Sequence, residues 1–147
     1  MLKKWEKEIG VRYWMVKQEP GEYSWEDFVR DGGTAWTGVR NYQARKYLAE
    51  MACGDRVLFY HSVVGKAVVG EAEVVREAYS DVTAGGGDWV CVDLKPVRAM
   101  RRPVQLSEMR GEAELKDLLL LKQSRLSVLP LREGEYRKIL FMGGVGV

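Results

Sequence analysis

The stretch from Arg56 to Ala78 constrains this chain more than any other. Arg56 to Ser62 alternates: Val57, Phe59 and His61 point one way, and Leu58, Tyr60 and Ser62 the other, which is the period of a strand. Gly65-Lys66 reads as a hairpin turn. Ala67 to Ala78 follows as a long strand in which Gly70 marks a bulge or bend, and Val74, Val75 and Tyr79 are strand formers. A hairpin at the centre of the chain points to an antiparallel sheet.

The flanking segments add strands and short helices. Tyr13 to Lys17 reads as a strand closed by the turn Glu19-Pro20-Gly21. Ser24, with Asp27 three residues on, predicts a capped helix running to about Arg30, and Asp31-Gly32-Gly33 ends it. Thr34 to Arg40 lacks periodicity and reads as a loop. Asn41 then caps a helix whose apolar stripe is Ala44, Tyr47, Leu48 and Met51. Ala84 to Gly87 is a flexible loop. Trp89 to Val97 is a further strand, with Pro96 arguing for an edge or a terminus. Ser107 to Gly111 predicts a helical turn, Glu112 to Leu121 a helix, Arg125 to Leu129 a short strand and Glu133 to Leu140 a last helix. Hairpin-ordered strands with helices around them imply an α+β domain on a mixed or barrel-like sheet. Strict strand–helix alternation is absent, which argues against a doubly wound nucleotide-binding fold.

A chain of 147 residues fits one domain, so residues 1–147 are expected to form a single unit with 1–11 as a short N-terminal extension. No apolar run approaches the roughly 18 residues of a membrane helix, and Met1 to Glu8 carries Lys and Glu without an apolar block, unlike a secretory signal. No membrane association is expected, and a cytoplasmic location is. Cys53 and Cys91 stand outside any CxxC pair and read as small buried residues. The net charge of +2 is too mild to establish nucleic-acid binding by itself. Arg40, Arg45 and Lys46 cluster locally, as do Arg98, Arg101 and Arg102; either group fits phosphates or a solvated face. Five Trp and seven Tyr against three Phe favour flat rings with polar edges, suited to bases and to cores alike.

Catalytic chemistry has little to build on. His61 is the one histidine, and no cysteine cluster accompanies it, so neither a metal site nor a cofactor is expected. No nucleophile elbow, P-loop or dinucleotide fingerprint occurs. Gly85-Gly86-Gly87 has no helix after it to make a phosphate cradle. A non-enzyme is therefore expected. The unusual segment is Trp36-Thr37-Gly38-Val39-Arg40-Asn41-Tyr42-Gln43-Ala44-Arg45, which sets an indole and two arginines around a helix start. Its Trp is either plugged into the core or offered to a flat ligand, and the helix start and its arginines suit a phosphate or a base oxygen.

Six segments together resemble the EVE domain, in the order that family shows them. They are Tyr13 to Pro20, Tyr23-Ser24-Trp25, Trp36 to Arg45, Phe59-Tyr60-His61-Ser62, Gly70 to Val75, and Gln123 to Val128 followed by Pro130. They span about Arg12 to Leu140. The resemblance implies a PUA-like bent pseudo-barrel of mostly antiparallel strands with flanking helices, akin to ASCH, YTH and SRA-type domains. It also implies a reader of modified DNA bases, particularly modified cytosine, working by base flipping into an aromatic pocket. Bacterial relatives are associated with restriction of modified DNA, so a restriction nuclease or other effector is an implied partner. Carried onto this sequence, the pocket comprises Lys17, Glu19, Pro20, Trp36, Val39, Asn41, Tyr60, His61, Ser62, Leu126 and Ser127, with Arg40, Arg45 and Arg125 toward phosphates. Stacking falls to Trp36, edge hydrogen bonds to Asn41 and Ser62.

The chain also departs from the family's pattern. Gln18 stands where a small hydroxyl residue is usual, Thr37 replaces a common acidic residue, and Val63-Val64 a polar one. A long insertion before the Trp89 strand is reduced to about Ser80 to Asp88, which shortens one pocket wall. An RNA-binding PUA-like module and a small-molecule or nucleoside-binding protein are the alternatives.

Overall fold

Strand β1 (Tyr13–Gln18) runs through the middle of the protein because Trp14, Met15 and Val16 are apolar without a break, the pattern of a strand covered on both faces. In the computed structural model, residues 10–146 are described. The expected N-terminal extension lies outside the described residues except for residues 10 and 11. β1 pairs in parallel with β3 (Arg56–His61) and antiparallel with β6 (Val128–Leu131). A parallel pair needs a long crossover. Helix α1 (Trp25–Asp31), the two-residue strand β2 (Thr34–Ala35) and helix α2 (Tyr42–Glu50) supply it. β3 then pairs antiparallel with β4 (Ala67–Ser80), β4 with β5 (Val90–Gln105), and β5 with β2. The sheet order is β2-β5-β4-β3-β1-β6, and its end strands β2 and β6 do not pair. The result is a mixed sheet that stays open, with one parallel and four antiparallel pairings.

The sheet bends because β4 and β5 are long and irregularly matched. Their register shifts between Val68 and Gly70, Glu71 and Ala72, Val74 and Arg76, and Arg76 and Tyr79. Each bulge adds local twist. At Gly70 there is a second reason for glycine: a Cβ there would stand 2.4 Å from the Trp25 ring, which lies flat on the strand. Trp25, Phe28, Phe59 and Trp36 form one aromatic core under α1.

Both central helices start as the residues predict. The Ser24 side chain accepts the Asp27 N–H and Asp27 accepts the Ser24 N–H, a complete capping box, while Asn41 Oδ1 accepts the Ala44 N–H at 2.9 Å. In α2 the stripe holds: Ala44, Leu48 and Met51 are buried and Tyr47 is half-buried.

Elsewhere the local reading fails. The strand expected to end at Val97 continues to Gln105, and Pro96 sits within it beside a register shift, where a missing N–H is tolerated. The helix expected over Glu112 to Leu121 is broken into a 3-10 turn at Ala113–Leu115 and a short helix, α4 (Leu119–Lys122), after α3 (Leu106–Arg110). Leu115, Leu118 and Leu120 are all buried, a spacing no single helix face serves. The strand expected from Arg125 starts only at Val128 and runs through Pro130. The last helix, α5, covers Glu133–Met142. Both cysteines are free; Cys91 is buried, whereas Cys53 is exposed, contrary to expectation. Among the described residues, no helix is long and apolar enough to cross a membrane.

Candidate nucleic-acid interface

Three recesses share walls where the C-terminal end of β1 meets the loop before α2. The innermost, about 330 Å³, is lined by Lys17 and Gln18 of β1, by Trp36 to Asn41, and by Ser127. A larger one of about 650 Å³ shares Lys17, Gln18 and Ser127 and adds Glu19, Tyr60, Ser62, Lys66, Arg110 and Arg125 among others. A third, about 320 Å³, shares Asn41 with the first and Ser124 and Arg125 with the second, and includes Leu126. Sites that hold small ligands run from about 300 to 1,000 Å³, so the innermost recess is at the size of a single base.

The structure brings together most of the residues expected from the sequence. Lys17, Glu19, Trp36, Val39, Arg40, Asn41, Tyr60, Ser62, Arg125, Leu126 and Ser127 all line one recess or another. They are divided, however: Glu19, Tyr60 and Ser62 face the larger recess, whereas Trp36, Val39, Arg40 and Asn41 face the innermost one. Pro20, His61 and Arg45 stand outside the three linings. His61 Nε2 accepts the Trp25 N–H at 3.0 Å and so closes the first turn of α1. Burial lowers its pKa, against an opposing pull from Glu26.

Trp36 forms a wall rather than a free platform. Its residue is 5% exposed, and its ring meets Phe59 edge-on at 5.4 Å and Tyr23 at 6.4 Å. A strip of indole therefore borders the recess while the remainder serves the core. Around that strip stand several free donors, beside the Thr37 and Ser127 hydroxyls, which can donate or accept. Asn41 spends its Oδ1 on the helix cap, leaving its amide N–H groups. Gln18 Oε1 accepts the Glu19 N–H at 3.0 Å, again leaving the amide N–H groups. Lys17 Nζ donates to the Ser124 carbonyl at 2.7 Å and retains two further protons; burial lowers its pKa.

Asp81 fixes the loop that carries Trp36 and Asn41. It is buried, and its Oδ2 accepts the Gly38 N–H at 2.9 Å and the Arg40 Nη1 at 2.9 Å. Gly38 turns there with φ +85°, a conformation that favours glycine. Burial raises the Asp81 pKa, but hydrogen bonds from Thr83, Gly38 and Arg40 outweigh it and hold the carboxyl well below the usual carboxylate range. Arg40 also donates to Thr83 Oγ1 at 3.0 Å and to the Val39 carbonyl, so much of its hydrogen-bonding capacity is internal. Arg45 lies over Tyr42 and Trp89, 4.9 Å from each ring.

Sequence reasoning missed Gln18, Thr37, Gly38, Lys66 and Arg110 as lining residues, and Asp81 as the anchor of the Gly38–Arg40 loop. Gln18 carried a signal, since it is a departure from the family pattern in the middle of a matching segment. Arg110 carried none, because its place depends on how α3 packs.

The fold and sequence have known relatives. A crystal structure of a protein from Agrobacterium tumefaciens superposes with a TM-score of 0.90 at 43% identity, covering 92% of this chain and 94% of that one. Human thymocyte nuclear protein 1 is 31% identical, over 87% of this chain and 72% of its own length. Its structure in complex with DNA containing 5-methylcytosine has a TM-score of 0.85 at 30% identity, covering 90% of this chain and 97% of that one. The YTH domain of Zygosaccharomyces rouxii MRB1, solved with N6-methyladenosine RNA, shares the fold alone: TM-score 0.61 at 17% identity, over 91% of this chain and 87% of that one. Residues 12–142 match the EVE domain, and the chain belongs to the EVE domain family.

Proposed function

We propose that this protein reads modified bases in DNA, modified cytosine in particular, by accepting the flipped base into the recess bordered by Trp36. The observation that carries this is the conjunction of an indole wall and a donor-rich rim in one base-sized recess. A flipped base offers a π face and a Watson–Crick edge, and unstacking it costs a few kcal/mol, least where pairing is weak. Contact with the indole strip supplies part of that, and donors from Gln18, Lys17 and Asn41 reach its carbonyl oxygen and ring nitrogen. The human relative solved with 5-methylcytosine DNA supports the substrate class. The reading is one of binding, with no step of catalysis. Phosphates fit the larger recess, where Lys17, Lys66, Arg110 and Arg125 face a single acid, Glu19. A nuclease or other effector acting on the bound site, and a cytoplasmic location, belong to the same proposal.

The test is an affinity comparison across oligonucleotides of one sequence, carrying cytosine, 5-methylcytosine and other modified bases, together with the matching RNA. Tighter binding to one modified DNA is the expected result. Equal affinity for all of them overturns the reading, and preference for the RNA replaces its substrate.

A further inference from the structure

Beside the innermost recess stands an aromatic cluster that the base pocket does not use. Tyr42 follows the lining residues Arg40 and Asn41 directly and is 71% exposed. Its ring stacks on Trp89, with centroids 5.2 Å apart and planes at 25°. The Arg45 guanidinium sits 4.9 Å from both rings, and the Arg40 guanidinium 5.9 Å from Trp89. A tyrosine this exposed contributes little to the core, yet it is held flat from beneath. Arg45 also donates to the Asp88 carbonyl, which ties the cluster to the loop before β5.

The cluster and the recess are built as one piece. Asp81 accepts the Gly38 N–H from the recess loop, and its own N–H donates to the Trp89 carbonyl at 2.9 Å. Arg40 borders the recess and reaches toward Trp89. Trp89, on which Tyr42 stacks, and the recess loop thereby share one anchor.

We infer that the exposed face of Tyr42, backed by Trp89 and Arg45, is a stacking platform for the base next to the flipped one in the same DNA strand. This rests on the reader function proposed above, because the recess sets where that strand passes. The chemistry selects a base: every base has a π face, and aromatic stacking tolerates any sequence. A platform of this kind adds affinity without adding discrimination between modified and unmodified bases.

The experiment measures binding of wild type, Tyr42→Ala and Tyr42→Trp to paired oligonucleotides with and without 5-methylcytosine, over a range of salt. Tyr42→Ala is expected to weaken both complexes about tenfold, leave their ratio and the salt slope unchanged, and melt as wild type does. Tyr42→Trp is expected to restore affinity. If wild type prefers the modified oligonucleotide and Tyr42→Ala binds as tightly, the platform is wrong and the reader stands. If wild type shows no preference while Tyr42→Ala still loses about tenfold, the reader function is wrong, and Tyr42 stacks on a base that has no flipped neighbour. Absence of binding by wild type overturns both.

Discussion

Asn41 holds two positions at once, and that makes it the sharpest residue-scale test of the site. Its Oδ1 caps α2, so its amide nitrogen is pinned at the mouth of the recess. Serine at this position retains a good N-cap while removing the amide donors, whereas alanine loses both, with a capping cost of about 1 kcal/mol. Asn41→Ser is therefore expected to melt within a degree or two of wild type and to lose about fivefold of its preference for the modified base, the worth of roughly one hydrogen bond. An unchanged preference removes Asn41 from the base edge. Trp36 is less informative: truncating an indole this buried costs about 3–5 kcal/mol, and lost binding would then report lost folding.

At the scale of elements, the site is a loop between β2 and α2 held against the sheet by one carboxylate. Replacing Asp81 by Asn is expected to destabilise the fold by about 1–3 kcal/mol, because donors arranged for a charged acceptor lose it. The pH dependence has a definite sign. The folded pKa of Asp81 lies below its unfolded value of about 3.9, so its stabilisation is complete above that value and is lost as pH falls toward the folded one. Urea unfolding of wild type and Asp81→Asn should differ most near neutrality, with the gap closing below about pH 4. A gap that stays constant would mean that Asp81 acts through shape alone. Little of this was legible in the sequence. The caps at Ser24 and Asn41 were, because capping is decided within four residues. The central hairpin was also legible, through its alternation and its turn. The role of Asp81 was not, since its partners Gly38 and Arg40 are some forty positions away. Nor was the break in the Glu112–Leu121 helix, where leucines needed on several sides of the chain outweigh helix propensity. Most of the residues named from the resemblance line a recess, but the resemblance could not divide them among three recesses.

For the whole molecule, net charge understates what the interface presents. Much of the basic surface is neutralised within the fold: Arg98 pairs with Glu71, Arg102 with Glu108, and Arg137 with Glu133. The cluster Arg98, Arg101, Arg102, which looked in the sequence as suited to phosphates as the recess-loop arginines, is thus largely occupied. The larger recess is different, with four basic residues around Glu19. A protein that neutralises phosphates releases counterions, and log affinity falls with log salt by about 0.9 per contact on duplex DNA. Lys66→Ala and Arg110→Ala should each reduce that slope by about one contact and weaken modified and unmodified DNA alike, leaving the preference ratio intact. Arg137→Ala, which removes an arginine already paired with Glu133, should leave slope and affinity as they are. Titrations between about 50 and 200 mM salt resolve such differences. If both recess variants keep the wild-type slope, the DNA backbone crosses a different face, and the base entering beside Trp36 must arrive from another direction.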